Sequence, residues 1–477
     1  MTVGLDELLA GYPPPAATTA QQVRAAARHS DRVLIVLDDD PTGTQSVADL
    51  PVLTEWSVES LCWALGQGRP ACYIMTNSRS LDPDRAAERN RQVAQAAFVA
   101  ADRLGIPVGF VSRSDSTLRG HFPLEPQTLA DCIREHGDGE VDGIVVVPAF
   151  GEAGRITVGG VHYAGDRAAG YVPVGETEFA RDATFGYRSS RMADWIAEKS
   201  GGRMPADQVL EIGLAELRTD LPAVIARLRS ARDRRPIVAD VVVEADLRRF
   251  SLALQAAEDA GSRFLYRVGP PFCRARIGQD ARVPLTPAEL AEIRRGGLAE
   301  GSVGGLIVVG SHVRQTTGQL DVLREHRHFV ELEIEVPTVL RTGRAGHLAG
   351  LAAAAVAALP AGNVVLRTSR QLVTGADAAA SLAVARAVSG AVVEVTRRVL
   401  AGYSPRFVVA KGGITSSDVA AGGLGIVRAY ARGPLLPGIV SLWEPVAGPA
   451  RGIPYAVFPG NVGDTRALAD VVDKLSR

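Results

Sequence analysis

The sequence predicts an α/β protein of two domains, each a mainly parallel sheet flanked by helices, with a ligand cleft between them. Three observations lead there. Apolar, β-rich runs alternate with helical patterns along most of the chain. Those runs are hydrophobic throughout, as in parallel strands covered on both faces. At 477 residues the chain also exceeds one ordinary core, since a domain takes roughly 100–200 residues.

The first series of strand-like runs covers residues 32–37, 71–75, 106–111, 143–147, 236–243 and 264–268, with helices expected over 84–104 and 123–136. The second covers 305–309, 329–336, 363–367, 406–410 and 455–458. Between them, residues 269–287 hold four prolines and several arginines with little periodicity, so the hinge is placed there. The resulting division is 1–270, a linker over 271–304, and 305–477. The alanine- and leucine-rich stretch 348–359 is only twelve residues, short of the ~20 that span a bilayer, and reads as a buried helix.

Charge narrows the function classes. Basic residues number 52 and acidic residues 53, so no global field recruits nucleic acid or an anionic membrane. The four cysteines, Cys62, Cys72, Cys132 and Cys273, lack CxxC or zinc-type spacing and read as free thiols. With no secretory pattern at the start of the sequence, the expected location is the cytoplasm. Pairing of the chain with itself as a homodimer stays open.

Four strand ends of the first half run into polar or glycine-rich loops: 38–45, 76–80, 112–120 and 148–155. In a parallel sheet these ends share one edge, where ligands bind. Adjacent Asp38, Asp39 and Asp40 repel one another and need a cation, a donor or a substrate hydroxyl, although a single aspartate there also suits a helix cap or Asx turn. Arg79 and Arg119 are forked donors matched to a carboxylate. Asp115, between Ser114 and Ser116, accepts a substrate proton or holds its loop by local hydrogen bonds.

In the second half, Gly310 and Ser311 follow one strand, residues 411–418 another and 458–464 a third. Glycine turns and helix N-termini supply amides for phosphate. Neither GxxxxGK[ST] nor the dinucleotide fingerprint occurs at a strand-to-helix turn, which counts against P-loop enzymes and two-domain dehydrogenases. His312 reads as a structural donor, and His326 and His328 as solvated surface.

Taken together, these loops resemble the four-carbon acid sugar kinase family over about residues 33–464. Its DDxTG element is matched by Asp39 to Gly43, its SR pair by Ser78 and Arg79, and its DSTLRG signature in full by Asp115 to Gly120. Its GS turn is matched by Gly310 and Ser311, its GG-x-TS loop by Gly412 to Ser416, and its PGN-x-G turn by Pro459 to Gly463. The chain departs from the commoner pattern at Ile414, where many members have an acid, at Ser114, in a stretch often carrying lysine, and at the extra acid Asp38.

The resemblance implies an ATP-dependent kinase acting on a hydroxyl of a sugar acid such as threonate, erythronate or 3-oxo-tetronate. On that basis Asp39, Asp40, Arg79, Ser114, Asp115, Ser116, Thr117 and Arg119 are expected to bind substrate. Arg79 and Arg119 anchor its carboxylate, and Asp115 orients or deprotonates the attacking hydroxyl, so Asp115 and Arg119 are the catalytic pair. Ser311, Gly412, Gly413, Ile414, Thr415 and Gly460 hold ATP. Mg²⁺ bridges the phosphates, with Asp39 or Asp40 either holding it through water or binding substrate hydroxyls. Closure about the hinge is expected to expel water. The rival reading is a non-catalytic sugar-acid-binding or effector-like protein on the same fold.

Overall fold

A computed structural model describes residues 2–27, 32–40, 42–370, 373 and 378–477, of which 378–380 and 382 by backbone alone. The chain divides into two compact units, Met1–Gly43 with Glu55–Ala281, and Thr44–Thr54 with Arg282–Arg477.

The first unit contains β1 (Val33–Asp38), while the short β2 (Leu50–Leu53) belongs to the second unit. The first unit continues with β3 (Ala71–Met75), β4 (Val108–Arg113), β5 (Gly143–Val147), β6 (Arg155–Val158), β7 (Val161–Asp166), β8 (Gly170–Pro173), β9 (Leu210–Ile212), β10 (Arg235–Ala239) and β11 (Phe264–Val268). Among the described residues, seven of these strands pair in parallel in the order β3-β1-β4-β11-β5-β10-β9. Every residue of β1, β3, β5 and β11 is buried, as strands covered by helices on both faces must be. The helix Pro83–Leu104 starts on an Asp82 cap accepting from the Arg85 amide at 3.0 Å and ends at the left-handed Gly105. From β1 the chain goes to β3 on one side and then to β4 on the other. The carboxyl end of β1 is therefore a topological switch point, where loops diverge and leave a crevice.

In the second unit, β12 (Leu306–Val309), β13 (Val330–Ile334), β14 (Val364–Thr368), β15 (Val408–Lys411) and β18 (Tyr455–Phe458) are parallel in the order β13-β14-β12-β15-β18. β17 (Ile439–Pro445), β16 (Arg428–Leu436) and β2 extend this sheet antiparallel. Its core gathers Ile307, Val309, Phe407, Phe458 and the helix Ala467–Ser476, and includes Leu285, Leu290 and Ile293 from the segment after residue 281. Here the switch point falls at β12, between β14 and β15.

The sequence reading had no place for β2, β6 to β9, β16 or β17. In β7 the inward residues are His162 and Ala164, so burial alternates without alternating hydrophobicity. In β16 the inward residues include Ala429 and Ala431, flanked by Arg428, Tyr430 and Arg432. The 348–359 segment lies in the helix Arg344–Ala358, which buries a stripe of Leu348, Ala352 and Ala355 rather than its whole surface. Among the described residues no helix is long and apolar enough to cross a membrane.

Candidate functional site

The loops after β1, β3 and β4 meet in the first unit. Arg113, the last residue of β4, is 3% exposed and forms an ion pair with the wholly buried Asp38. It lies 3.9 Å from Asp39 and donates to the Asp40 carbonyl at 3.0 Å. Arg79 bridges Asp39 and Asp40, each at 3.0 Å. Two of the chain's own arginines thus face the three aspartates, supplying donors from among the cation, donor or substrate hydroxyl that the sequence calls for, while Asp38 Oδ2 and Asp39 Oδ2 stay without a hydrogen-bond partner among the described residues. Arg113 lies in the 112–120 segment, whose two guanidinium groups the sequence suggests as a grip for a small anion, but it faces the strand-end aspartates instead. Three carboxylates at one strand end were themselves the signal that a buried cation must face them.

Gly43 shows why the acidic element ends in glycine. A Cβ there would collide with Asp38 Oδ2 and the Arg113 guanidinium. Pro41 of the same element lies outside the described residues.

In the signature loop, Arg119 Nε donates to Asp115 Oδ2 at 2.7 Å, Thr117 Oγ1 donates to the same oxygen, and Arg119 Nη1 lies 3.8 Å from Asp182. The Arg119 guanidinium also lies 5.4 Å from the Phe179 ring centre. Ser114 and Ser116 are buried and engage through their backbones: the Ser114 amide donates to the Val268 carbonyl, and the Ser116 carbonyl accepts from His162 Nε2 at 2.8 Å. Tyr187 donates to the Thr117 carbonyl at 2.7 Å. Buried Leu118 has φ 69°, a conformation a branched residue holds only when its surroundings enforce it. His162 and Thr157, joined at 2.9 Å, belong to the small antiparallel sheet β6-β7-β8, which braces the loop from behind. His121 Nε2 lies 3.1 Å from the carbonyls of Ser78 and Leu81, tying the signature loop to the Arg79 loop. Arg267, buried on β11, donates to the Arg119 carbonyl at 3.1 Å. His121, His162, Tyr187 and Arg267 escaped the sequence reading because their partners are distant in the chain.

Burial and charge divide these acids. Burial pushes Asp38 up to about 8 despite Arg113, with Asp39 and Asp40 adding to the rise. Burial raises Asp39 too, and pushes Glu125 up to about 7 with help from Asp39. Burial also opposes ionisation of Asp115, but Arg79, Arg119 and the Thr117 hydroxyl outweigh it and hold its carboxyl well below the usual range. Asp115 is therefore a firmly ionised acceptor, suited to orienting a donor rather than to storing a proton. Burial drives His162 down to about 4, so its ring stays neutral.

The second unit brings together Ser311, Gly412, Thr415 and Gly460. A Cβ on Gly310 would strike Thr415 Oγ1, and one on Gly460 would lie 2.5 Å from Ser311 Oγ. Thr316 Oγ1 lies 3.2 Å from Ser311 Oγ and donates to the Gly460 carbonyl at 2.9 Å. Gln319 holds the 462–464 turn through the Val462 and Asp464 carbonyls at 3.0 and 2.7 Å. Gly412 has φ 135°, open only to glycine without strain. Gly413 is half-buried rather than packed in core, and Ile414 is 66% exposed. Lys411, fully buried, donates to the Pro459 carbonyl at 2.7 Å and sits 3.7 Å from the Phe458 ring centre. Burial brings its amine down to about 7. These converging loops are thus built of backbone, hydroxyls and small residues, the materials of a phosphate site.

Comparison with known proteins agrees with this division. Residues 34–276 match a family described as a sugar-binding N-terminal domain, and residues 306–468 match a nucleotide-binding C-terminal domain. This chain belongs to the four-carbon acid sugar kinase family. A D-erythronate kinase of Heliobacterium modesticaldum is 31% identical over 179 residues, which is 36% of this chain and 36% of that protein, so the chain spans about a third of the curated relative's length. A Salmonella typhimurium LT2 protein provisionally described as a tRNA synthase shares the fold at TM-score 0.65 and 18% identity, covering 92% of this chain and 98% of that one. A DUF1537 protein of Haemophilus influenzae does so at TM-score 0.61 and 16% identity, covering 92% and 100%.

Proposed function

We propose that this family member is an ATP-dependent kinase that phosphorylates a hydroxyl of a four-carbon sugar acid. The observation that carries the reading is the meeting of three first-unit loops around Arg79, Asp115 and Arg119, with Arg79 and Arg119 each part-exposed at the crevice of β1. The matched sugar-binding and nucleotide-binding domains support it, as does the partial similarity to a D-erythronate kinase.

In this mechanism Arg119, fixed through Nε by Asp115, offers the outer edge of its guanidinium to the substrate carboxylate, and Arg79 supports it. Asp115 accepts a hydrogen bond from the attacking hydroxyl and aligns it. Phosphoryl transfer depends mainly on such positioning and on charge neutralisation. In the second unit, Ser311, Gly412, Gly413, Thr415 and Gly460 hold the nucleotide, with exposed Ile414 at the rim of the cradle.

Among the described residues no group of three or more acidic, histidine or cysteine side chains is placed to hold a metal, and Asp39 and Asp40 are already engaged by Arg79. Without such a group the described residues form no all-protein cage, and Mg²⁺ is assigned to the MgATP substrate, whose phosphates supply most of its ligands. A coupled ADP-release assay over threonate, erythronate, 3-oxo-tetronate and longer sugar acids tests the proposal. It predicts turnover confined to one or a few C4 acids. Tight binding of a C4 acid without ADP release would instead identify a binding protein.

A further inference from the structure

Both units place a central strand between two parallel neighbours at a switch point, β1 between β3 and β4 in the first and β12 between β14 and β15 in the second. In the first unit the loop after the outer neighbour, β3, carries Arg79, which points its charge at the central loop. The loop after β14 carries a counterpart, Arg370. It donates from Nη1 to the Ser311 carbonyl and from Nη2 to Thr317 Oγ1 at 2.6 Å. The His312 ring is hydrogen-bonded to the Arg370 backbone.

What sets Arg370 apart is its company. Nearby Arg324 and Arg367 are neutralised by Glu331, with Asp321 on the former and Glu333 on the latter. Among the described residues Arg370 forms no ion pair, and its buried Nε has no hydrogen-bond partner. Burial and then the neighbouring Arg367 and Arg324 disfavour its charge, with Asp321 opposing them in part. The buried Lys411 is turned onto the Pro459 carbonyl and the Phe458 ring. A cradle of amides and hydroxyls therefore has, at its switch-point edge, a forked cation held on neutral acceptors.

We propose that Arg370 is a binding residue for the nucleotide's phosphates, held ready against the Ser311 turn until an anion takes its outer donors. The inference rests on reading the second unit as nucleotide-binding. A guanidinium–phosphate pair is charge-assisted and bidentate, and about twice as strong as a bond to a neutral acceptor. Exchange of partners thus favours the anion.

The test is calorimetric titration of the full chain with AMP, ADP and the ATP analogue AMP-PNP, each with Mg²⁺, for wild type, Arg370→Gln and Arg370→Lys. The expected result is a loss that grows with phosphate number: about tenfold or more for AMP-PNP, less for ADP and under about twofold for AMP, with Arg370→Lys recovering part of it. A merely structural role predicts equal loss for all three ligands, and that result, or no loss at all, overturns the inference. If Arg370→Gln does not fold by thermal melting, the Arg370→Lys series decides by the same gradient. Wild type that binds none of the three would bring down the reading of the second unit itself, and this inference with it.

Discussion

In the first unit the loops after β1, β3 and β4 are joined by charge: Asp38 to Arg113, Asp39 and Asp40 to Arg79, and Asp115 to Arg119. In the second unit the loops after β12, β15 and β18 are joined by contact of small groups: Gly310 against Thr415, Gly460 against Ser311, and Thr316 across to the Gly460 carbonyl. The first construction fixes residue identity, because each buried carboxylate requires a particular cation opposite it. The second fixes only size and backbone conformation. Damage to the first should appear as an electrostatic loss, and damage to the second as a steric one.

The largest expected effect is at the base of the charged cluster. Gly43→Ala drives a methyl into the buried Asp38–Arg113 contact and should cost about 3 kcal/mol, the upper end of overpacking a buried site. Urea unfolding would check this, and a change under about 1 kcal/mol would mean that the pair simply shifts aside. Next comes Asp115→Asn, which keeps the shape but removes the charge that fixes Arg119. Turnover of the acid sugar should fall about 10²-fold, with nucleotide affinity unchanged by titration. Equal losses in both would erase the contrast between the units.

Gly310→Ala probes the steric side. Crowding against Thr415 Oγ1 should destabilise the protein by about 1–3 kcal/mol, and adding Thr415→Ala should recover part of that loss in the same melt. Failure to recover would mean that the glycine serves its backbone conformation rather than the close approach.

The smallest effect is on pH dependence. The folded-state value of Glu125, about 7, lies above its ordinary value of 4.5. Between those values the folded protein binds more protons than the unfolded one, so stability falls as pH rises, by at most about 1.4 kcal/mol per unit. Asp38, pushed up to about 8, acts in the same direction. Asp40 and Asp115 are lowered, so their stabilisation is fully present above the ordinary carboxylate range and is lost only in acid. His162, driven down to about 4, acts in the opposite direction below its ordinary value of 6.5, so the difference between variants is the test: Glu125→Gln should make the change in melting temperature from pH 5 to pH 7 less negative than in wild type. An unchanged slope in that variant would assign it to other groups.

The sequence alone carried the alternation of buried strands and helices, because a parallel strand covered on both faces must be apolar at every position. It also carried the Asp115 to Gly120 signature and the glycine turns at 310, 412 and 460, whose residue types are set locally. It could not carry β7, where a buried histidine replaces the apolar side chain that periodicity would register. Nor did it give β16, whose inward face is alanine.

The pairing of charges was decided by tertiary structure. Whether Arg79 and Arg113 face a ligand or Asp38, Asp39 and Asp40 depends on strand order, which sets β1 between β3 and β4. Arg370 is the clearest case. Only the parallel pairing of β14 with β12 carries it to Ser311, 59 positions away in sequence. Local preferences act over a few neighbours, whereas a carboxylate, a carbonyl or a phosphate is met by whichever cation the folded chain brings within about 3 Å.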